Sequence, residues 1–223
     1  MEKTGHRSIR TLITFYTDPL CCWSYAMAPA LQELAKEFPQ SAWRYCMGGL
    51  IPDWNNFNDP VNAVSRPIQM GPVWMHAAAI AGMHIDQNLW MRDPPSSSYP
   101  ACVAVKAVGL QSQNAAADYL HLLWNACMNE GQNIARRQVL VEMAGMLADT
   151  HDRFHLHRFT DDIQNGKAKE AFRDDLQETR MAGIDRLPTI AIRHGQRRVL
   201  GSGYQSIDQV KAMIERVVAA AEK

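Results

Sequence analysis

The sequence predicts an α/β fold in which a strand–helix–strand unit and a strand–strand–helix unit flank a wholly helical insert. Three observations predict it. β-Branched and aromatic residues concentrate at 11–17 and 42–47, on either side of a helical stretch from Trp23 to Phe38. Between Pro100 and Leu187 no proline occurs, and apolar residues recur at helical spacing. From Thr189 onward the pattern returns to two short strands and one amphipathic helix. With 223 residues and a hydrophobic share of 47%, the chain is ample for a real core.

The elements follow in order. Residues 11–17 form the first strand, broken by Asp18-Pro19. The helix after it places Leu31, Leu34, Ala35 and Phe38 on one face, and Pro29 inside it predicts a kink. Residues 42–47 form a second strand, stopped by Gly48-Gly49. A strand pair joined by a helix is parallel, with a right-handed crossover. From Leu50 to Pro100 seven prolines break the chain, while Trp54, Trp74 and Trp90 demand burial. This reads as an ordered, irregular cap with one short helix near Val73–Met83, either covering apolar surface or lining a site. Helices then run from Pro100 to about Leu110, from an Asn114 cap, from an Asn133 cap and from Asp152. A fifth follows Asn165-Gly166 and ends at Gly183. Strands over 189–193 and 198–200 make a hairpin about His194-Gly195. Gly201-Ser202-Gly203 is a loop, and Ser206 with Gln209 fits a capping box for the last helix. The order is that of a thioredoxin-type frame interrupted by an insert. Residues 1–50 and 184–223 make one discontinuous domain, and 51–183 make the inserted cap and helical domain.

Composition narrows the function. The 23 basic and 23 acidic side chains cancel, leaving no whole-chain field for nucleic acid or an anionic membrane. Residues 1–10 are polar, unlike a secretory signal, and the apolar patch Leu12–Tyr16 is far too short to span a bilayer. A cytoplasmic address is expected. Five cysteines is an odd number, so at least one thiol is free or pairs outside the chain.

The thiol that matters stands in Asp18-Pro19-Leu20-Cys21-Cys22-Trp23-Ser24-Tyr25, between the first strand and first helix. A cysteine at a helix N-terminus meets unpaired backbone N–H groups and the positive end of the dipole, which favour thiolate. Thiolate is the nucleophile in disulfide exchange. A dithiol site needs a second cysteine three residues on, and Ser24 holds that place. Cys22 is no substitute, because adjacent Cα atoms lie about 3.8 Å apart and ordinary disulfides span ~4.4–6.8 Å. The site reads as monothiol, with Ser24 donating to the Cys21 sulfur. The second segment is Asp185-Arg186-Leu187-Pro188-Thr189-Ile190. A cis peptide before Pro188 would turn the Leu187 backbone outward, available to a bound peptide.

Through Phe15-Tyr16-Thr17-Asp18-Pro19-Leu20-Cys21-Cys22-Trp23-Ser24-Tyr25 and Gly183-Ile184-Asp185-Arg186-Leu187-Pro188-Thr189, the chain resembles the DsbA-like thioredoxin-fold superfamily, in its FrnE-like cytosolic branch. There an Asp-Pro-x-Cys-x-Trp-Cys segment carries the redox pair and an x-Pro-Thr segment supplies a cis-proline beside it. The resemblance implies Cys21 as nucleophile and Ser24 in place of its partner. It implies Cys22, Trp23, Leu187, Pro188 and Thr189 as the substrate-binding set. The expected activity is thiol–disulfide exchange on protein or small-molecule disulfides, with an external thiol such as glutathione resolving the adduct as co-substrate. No tightly bound cofactor is expected, and a homodimer is left open. Serine-containing relatives include kappa-class glutathione transferases and 2-hydroxychromene-2-carboxylate isomerases, so a glutathione-dependent transferase or isomerase is one alternative. A non-catalytic protease adaptor or binding module is the other.

The remaining candidates read as structural. Cys102 and Cys127 fall on helices as core residues, and Cys46 approaches the site only if its side chain faces that way. His151, His155 and His157 crowd one segment without a framing ligand motif, so no metal site is expected. Arg136-Arg137 and Arg197-Arg198 read as surface charge. The N-terminus of the last helix, after Gly201-Ser202-Gly203, is a place for a carboxylate such as that of glutathione.

Overall fold

A computed structural model describes residues 11–219. β1 (Leu12–Thr17) and β2 (Ala42–Met47) run parallel, joined by α1 (Cys22–Glu37). The helix passes through Pro29 without interruption. β3 (Thr189–His194) lies antiparallel to β1 and forms a hairpin with β4 (Arg197–Ser202), giving the sheet order β2-β1-β3-β4. Between β2 and β3 come α2 (Met70–Ala81), α3 (Leu89–Arg92), α4 (Tyr99–Gly109) and α5 (Gln113–Trp124). They are followed by α6 (Arg137–Ala148), α7 (Leu156–Gln164) and α8 (Lys167–Met181), and the chain closes with α9 (Ile207–Ala219). This is the thioredoxin-like α/β fold with DsbA-like inserted helices that the sequence predicts.

The period of two along each strand sorts the sheet's faces. Ile13 and Phe15 of β1, with Ile190 and Ile192 of β3, join a core that includes Leu31 and Leu34 of α1 and Val210 and Ile214 of α9. The alternate residues Tyr16, Cys46 and Ala191 form a small second cluster with Ala182, Ile184 and Leu187. Cys46 therefore faces away from α1, toward α8, where its thiol donates to the Asp175 carbonyl at 3.6 Å. The Asp175 carboxylate, buried, accepts the Met47 N–H at 2.8 Å and pairs with Lys106 Nζ at 2.7 Å. Arg44 of β2 pairs with Glu178 one turn later. These contacts clamp α8 onto the sheet. The main core also continues without a break through the insert, from Phe15 to Trp74, Tyr119 and Phe159.

Several boundaries differ from the sequence reading. α5 is capped by Ser112, whose Oγ accepts the Ala115 N–H at 3.3 Å, rather than by Asn114. Asn133 closes a turn onto Ala135 N at 2.9 Å, and α6 starts only at Arg137. Its amide and the Arg136 guanidinium both reach the Asp93 carboxylate, a partner forty residues away. Arg136 is thus ion-paired, not simply solvated. α7 begins at Leu156, later than Asp152. α5 runs on into a π-helical turn, Asn125–Asn129, that periodicity does not reveal. The Ser206/Gln209 capping box forms reciprocally, at 2.8 and 3.3 Å. Gly183 adopts the left-handed conformation, φ +67°, after α8.

The Gly48-Gly49 stop has two physical reasons. A Cβ on Gly48 would lie 2.6 Å from Leu187 Cδ1. Gly49 has φ +63°, and a Cβ there would lie 2.8 Å from Leu176 and 2.9 Å from Tyr99. Gly49→Ala is expected to destabilise the fold by about 2–4 kcal/mol, combining left-handed strain with overpacking. Urea unfolding checks this, and a loss under 1 kcal/mol would mean the Tyr99–Leu176 contact yields freely.

Candidate functional site

Cys21 is the N-cap residue of α1, with extended backbone at φ −82° and ψ 103°. Its N–H donates to the Asp18 carbonyl at 3.0 Å, and its carbonyl accepts from Ser24 N at 3.0 Å and Tyr25 N at 3.1 Å. Residues 18–21 thus form a closed turn that delivers the cysteine to the helix end. The thiol is buried, with 3% of Cys21 exposed. Burial pushes its pKa up, to about 11. The Ser24 hydroxyl, the Ser24 N–H and the Trp23 N–H pull it down, and the Asp18 charge pushes it up. The helix terminus acts in the predicted direction, and desolvation outweighs it. Ser24 Oγ is itself buried without a hydrogen-bond partner. Alkylation of Cys21 is accordingly expected to keep rising with pH past 9, and more steeply at the alkaline end in Ser24→Ala. A reactivity plateau near pH 7 would overturn this placement.

The other expected residues divide. Trp23, half-buried, meets the His76 ring of α2 edge-on at 5.4 Å and Tyr204 at 6.0 Å. Cys22 points inward to the main core and offers the surface nothing. The first turn of a helix rotates successive residues by about 100°, so Trp23 and Cys22 cannot share a face. The Leu187–Pro188 peptide is cis. Pro188 extends the β3–β4 pairing, its carbonyl accepting Gly203 N at 2.8 Å, and Thr189 Oγ1 donates to the Arg186 carbonyl at 2.7 Å. Leu187 keeps both backbone polar groups without a partner among the described residues. A recess of about 760 Å³ brings Trp23, Leu187 and Ser202 together with Arg186 and the cap loop around Asn56–Asn62. The cap therefore lines a recess beside Trp23 and Leu187, one that Cys21 itself does not line.

Composition and spacing passed over Asp18 as more than a strand breaker. Its carboxyl is fully buried and accepts four hydrogen bonds. Oδ1 takes the Leu20 N–H at 2.8 Å, and Oδ2 takes Leu50 N–H at 2.6 Å, Ser98 Oγ at 2.8 Å and Cys102 Sγ at 3.3 Å. Its carbonyl also accepts Trp124 Nε1 at 3.3 Å. Burial pushes the carboxyl pKa up against those four donors. Asp18 thus ties the cysteine loop to the cap and to two inserted helices. The Asp-Pro pair marks a side chain that turns back on its own loop, the one local signal available. Cys102, expected as plain core, is one of its donors, and Cys127 is core as read.

The histidines do not converge. His151 pairs with Asp118 at 3.0 Å while His155 stacks on His157, and among the described residues no three His, Cys, Asp or Glu side chains assemble as a metal site. No helix among them is long and apolar enough to cross a membrane.

A βαβ–ββα sheet carrying a cysteine at the first helix's N-terminus and a cis-proline opening the third strand defines a thioredoxin-fold protein. The chain belongs to the Thioredoxin family (Thioredoxin_5), which matches residues 15–212. Among curated relatives, the ClpXP adapter protein SpxH of Halalkalibacterium halodurans is 28% identical over 189 residues, 84% of this chain and 60% of its own. The chain thus spans about three fifths of the length of that relative. Among solved structures, a putative protein disulfide isomerase from Nitrosomonas europaea superposes with TM-score 0.79 at 19% identity, covering 95% of this chain and 98% of its own. The cytosolic disulfide reductase DsbM from Pseudomonas aeruginosa gives TM-score 0.67 at 20% identity, covering 95% and 97%, and has also been solved with GSH.

Proposed function

We propose that the protein is a cytoplasmic thiol–disulfide oxidoreductase of monothiol type, in the FrnE-like branch of the DsbA-like superfamily. The observation that carries this reading is the Ser24 hydroxyl. It is buried, has no partner of good hydrogen-bond geometry among the described residues, and is foremost among the groups that favour the Cys21 thiolate. An orphaned donor is costly in a resting thiol and is satisfied once sulfur carries the charge. Cys21 thiolate attacks one sulfur of a disulfide, forming a mixed disulfide and releasing the other half as thiolate. An external thiolate such as glutathione then attacks the partner sulfur of that mixed disulfide, forming a new disulfide with it, and Cys21 leaves as thiolate. Leu187 would pair its free backbone groups with the bound chain, and Trp23 would form the opposite wall. Oxidised glutathione is expected to place one adduct on Cys21, read by peptide mass spectrometry and absent in Cys21→Ser. Equal labelling of Cys102 or Cys127, or none, would sink the proposal. Conjugation of an electrophile to glutathione that survives Cys21→Ser would instead favour the transferase or isomerase alternative.

A protease adaptor is the second reading. It is favoured by the name of the curated relatives and by a nucleophile that is almost wholly buried with its thiol pushed up. In that case delivery of a substrate to ClpXP would depend on the cap, residues 50–100, and be indifferent to Cys21→Ser.

A further inference from the structure

Four inserted helices surround a second recess, of about 620 Å³, that contains neither Cys21 nor Leu187. Each helix contributes one half-buried aliphatic side chain to its wall: Val103 of α4, Val141 of α6, Ile163 of α7 and Leu176 of α8. The buried rings of Phe159 and Phe172 back it, and Tyr99 meets Phe172 edge-on at 5.0 Å. The charge at its rim is one-sided. Arg137, Lys169 and Arg173 line it, and no aspartate or glutamate does. Several other cations of the insert are paired, Lys106 with Asp175, Arg136 with Asp93, Arg158 and Lys167 with Asp162, while Arg66, Arg153 and Arg180, which do not line the recess, have no carboxylate partner among the described residues. Among the described residues Arg137, Lys169 and Arg173 have no carboxylate partner either. In a chain of net charge zero, an apolar recess rimmed only by unpaired cations is a local departure.

We propose that this recess binds a small amphiphile with one carboxylate and an unbranched apolar body, as in a medium-chain fatty acid. The volume falls within the range of small-molecule sites, about 300–1,000 Å³, and the lining has their usual character of apolar walls with few polar groups. The apolar body leaves water against the four aliphatic side chains. The carboxylate stays at the mouth, where a guanidinium fork matches two oxygens and the flexible lysine adds a third donor.

The test is calorimetric titration of the full chain with decanoate, below its aggregation concentration, beside decanol and decyltrimethylammonium. The expected result is one saturable site for decanoate, at least tenfold weaker binding of decanol, and none of the cation. Val141→Trp, which fills the recess, is expected to lose at least tenfold. Because that change risks the core, a second variant combining Arg137→Gln, Lys169→Gln and Arg173→Gln alters only exposed side chains and is expected to lose at least tenfold for decanoate while leaving decanol unchanged. Cys21→Ser is expected to bind decanoate like the parent, which separates this site from the thiol chemistry. Equal affinity for acid and alcohol, no saturation, or indifference to both variants would overturn the proposal. So would sedimentation showing a dimer that decanoate cannot displace and Val141→Trp dissociates, since the occupant would then be a second copy.

Discussion

The Ser24→Cys variant is expected to form an intramolecular disulfide on exposure to oxidised glutathione, where the parent chain stops at a Cys21 adduct. Ser24 stands three residues beyond the N-cap and is buried, and its hydroxyl is the first of the groups that favour the Cys21 thiolate. Residues three apart on a helix bring their Cβ atoms to ~5–6 Å, close enough for the small helical adjustment a disulfide needs. In the parent, attack of Cys21 on oxidised glutathione releases one glutathione and leaves the other bound. In the variant the introduced thiol attacks the Cys21 sulfur, closing a disulfide and releasing the second glutathione. Holding the two sulfurs on one turn makes that second step unimolecular, so glutathione release should be faster by roughly a hundredfold or more. Free-thiol titration and intact mass read it directly: two equivalents of glutathione released, two thiols lost. If the variant retains a stable glutathione adduct, the two side chains do not face each other and the monothiol reading loses its geometric basis.

What the sequence made legible was set by local chemistry. The strands came from β-branched runs, the hairpin from Gly195, which turns with Gln196 one residue later than read because His194 pairs with Arg197, and the last helix from the reciprocal Ser206/Gln209 pair. Each of these is decided by residues a few positions apart. At Asn114, read as a helix start, a local rival won, the Ser112 hydroxyl two residues earlier, whereas Asn133 has a long-range partner. The Asn133 oxygen does accept a backbone N–H, that of Ala135, while its amide is anchored on Asp93 across the insert, and the helix begins only at Arg137. The site divides along the same line. Cys21, Ser24 and Pro188 were readable because a strand end, a helix start and a proline are local signals. The burial that pushes the Cys21 thiol up was not, because it depends on long-range packing around the helix start. The cap's share in the recess was likewise invisible, since nothing in a run of prolines and tryptophans says which surface it covers.

Asp18→Ala is expected to be the most destabilising single change near the site, by roughly 4–5 kcal/mol, with no change in any residue that touches substrate. Four donors, the N–H groups of Leu20 and Leu50, the Ser98 hydroxyl and the Cys102 thiol, would lose their acceptor at once. A buried donor left unmade costs about 1–3 kcal/mol, and partial relaxation of the cap offsets part of the sum. Asp18→Asn separates charge from hydrogen bonding. With the amide oxygen in the Oδ2 position it keeps three of the four bonds and sets an N–H against the Leu20 N–H. Burial raises the Asp18 pKa in the folded protein, so between the unfolded and folded values the native state holds the extra proton. The contribution of this carboxyl to stability is therefore fully present below the unfolded pKa and is lost as pH rises through the folded one. Asparagine has no such titration. The stability of the parent minus that of Asp18→Asn, measured by urea unfolding from acid to neutral pH, should fall as pH increases and then level. A difference that grows with pH would instead mean that the four donors outweigh burial and hold the carboxyl ionised. That outcome would extend the Asp18 charge, which already pushes the Cys21 thiol up, to lower pH, weakening the case for exchange at this site.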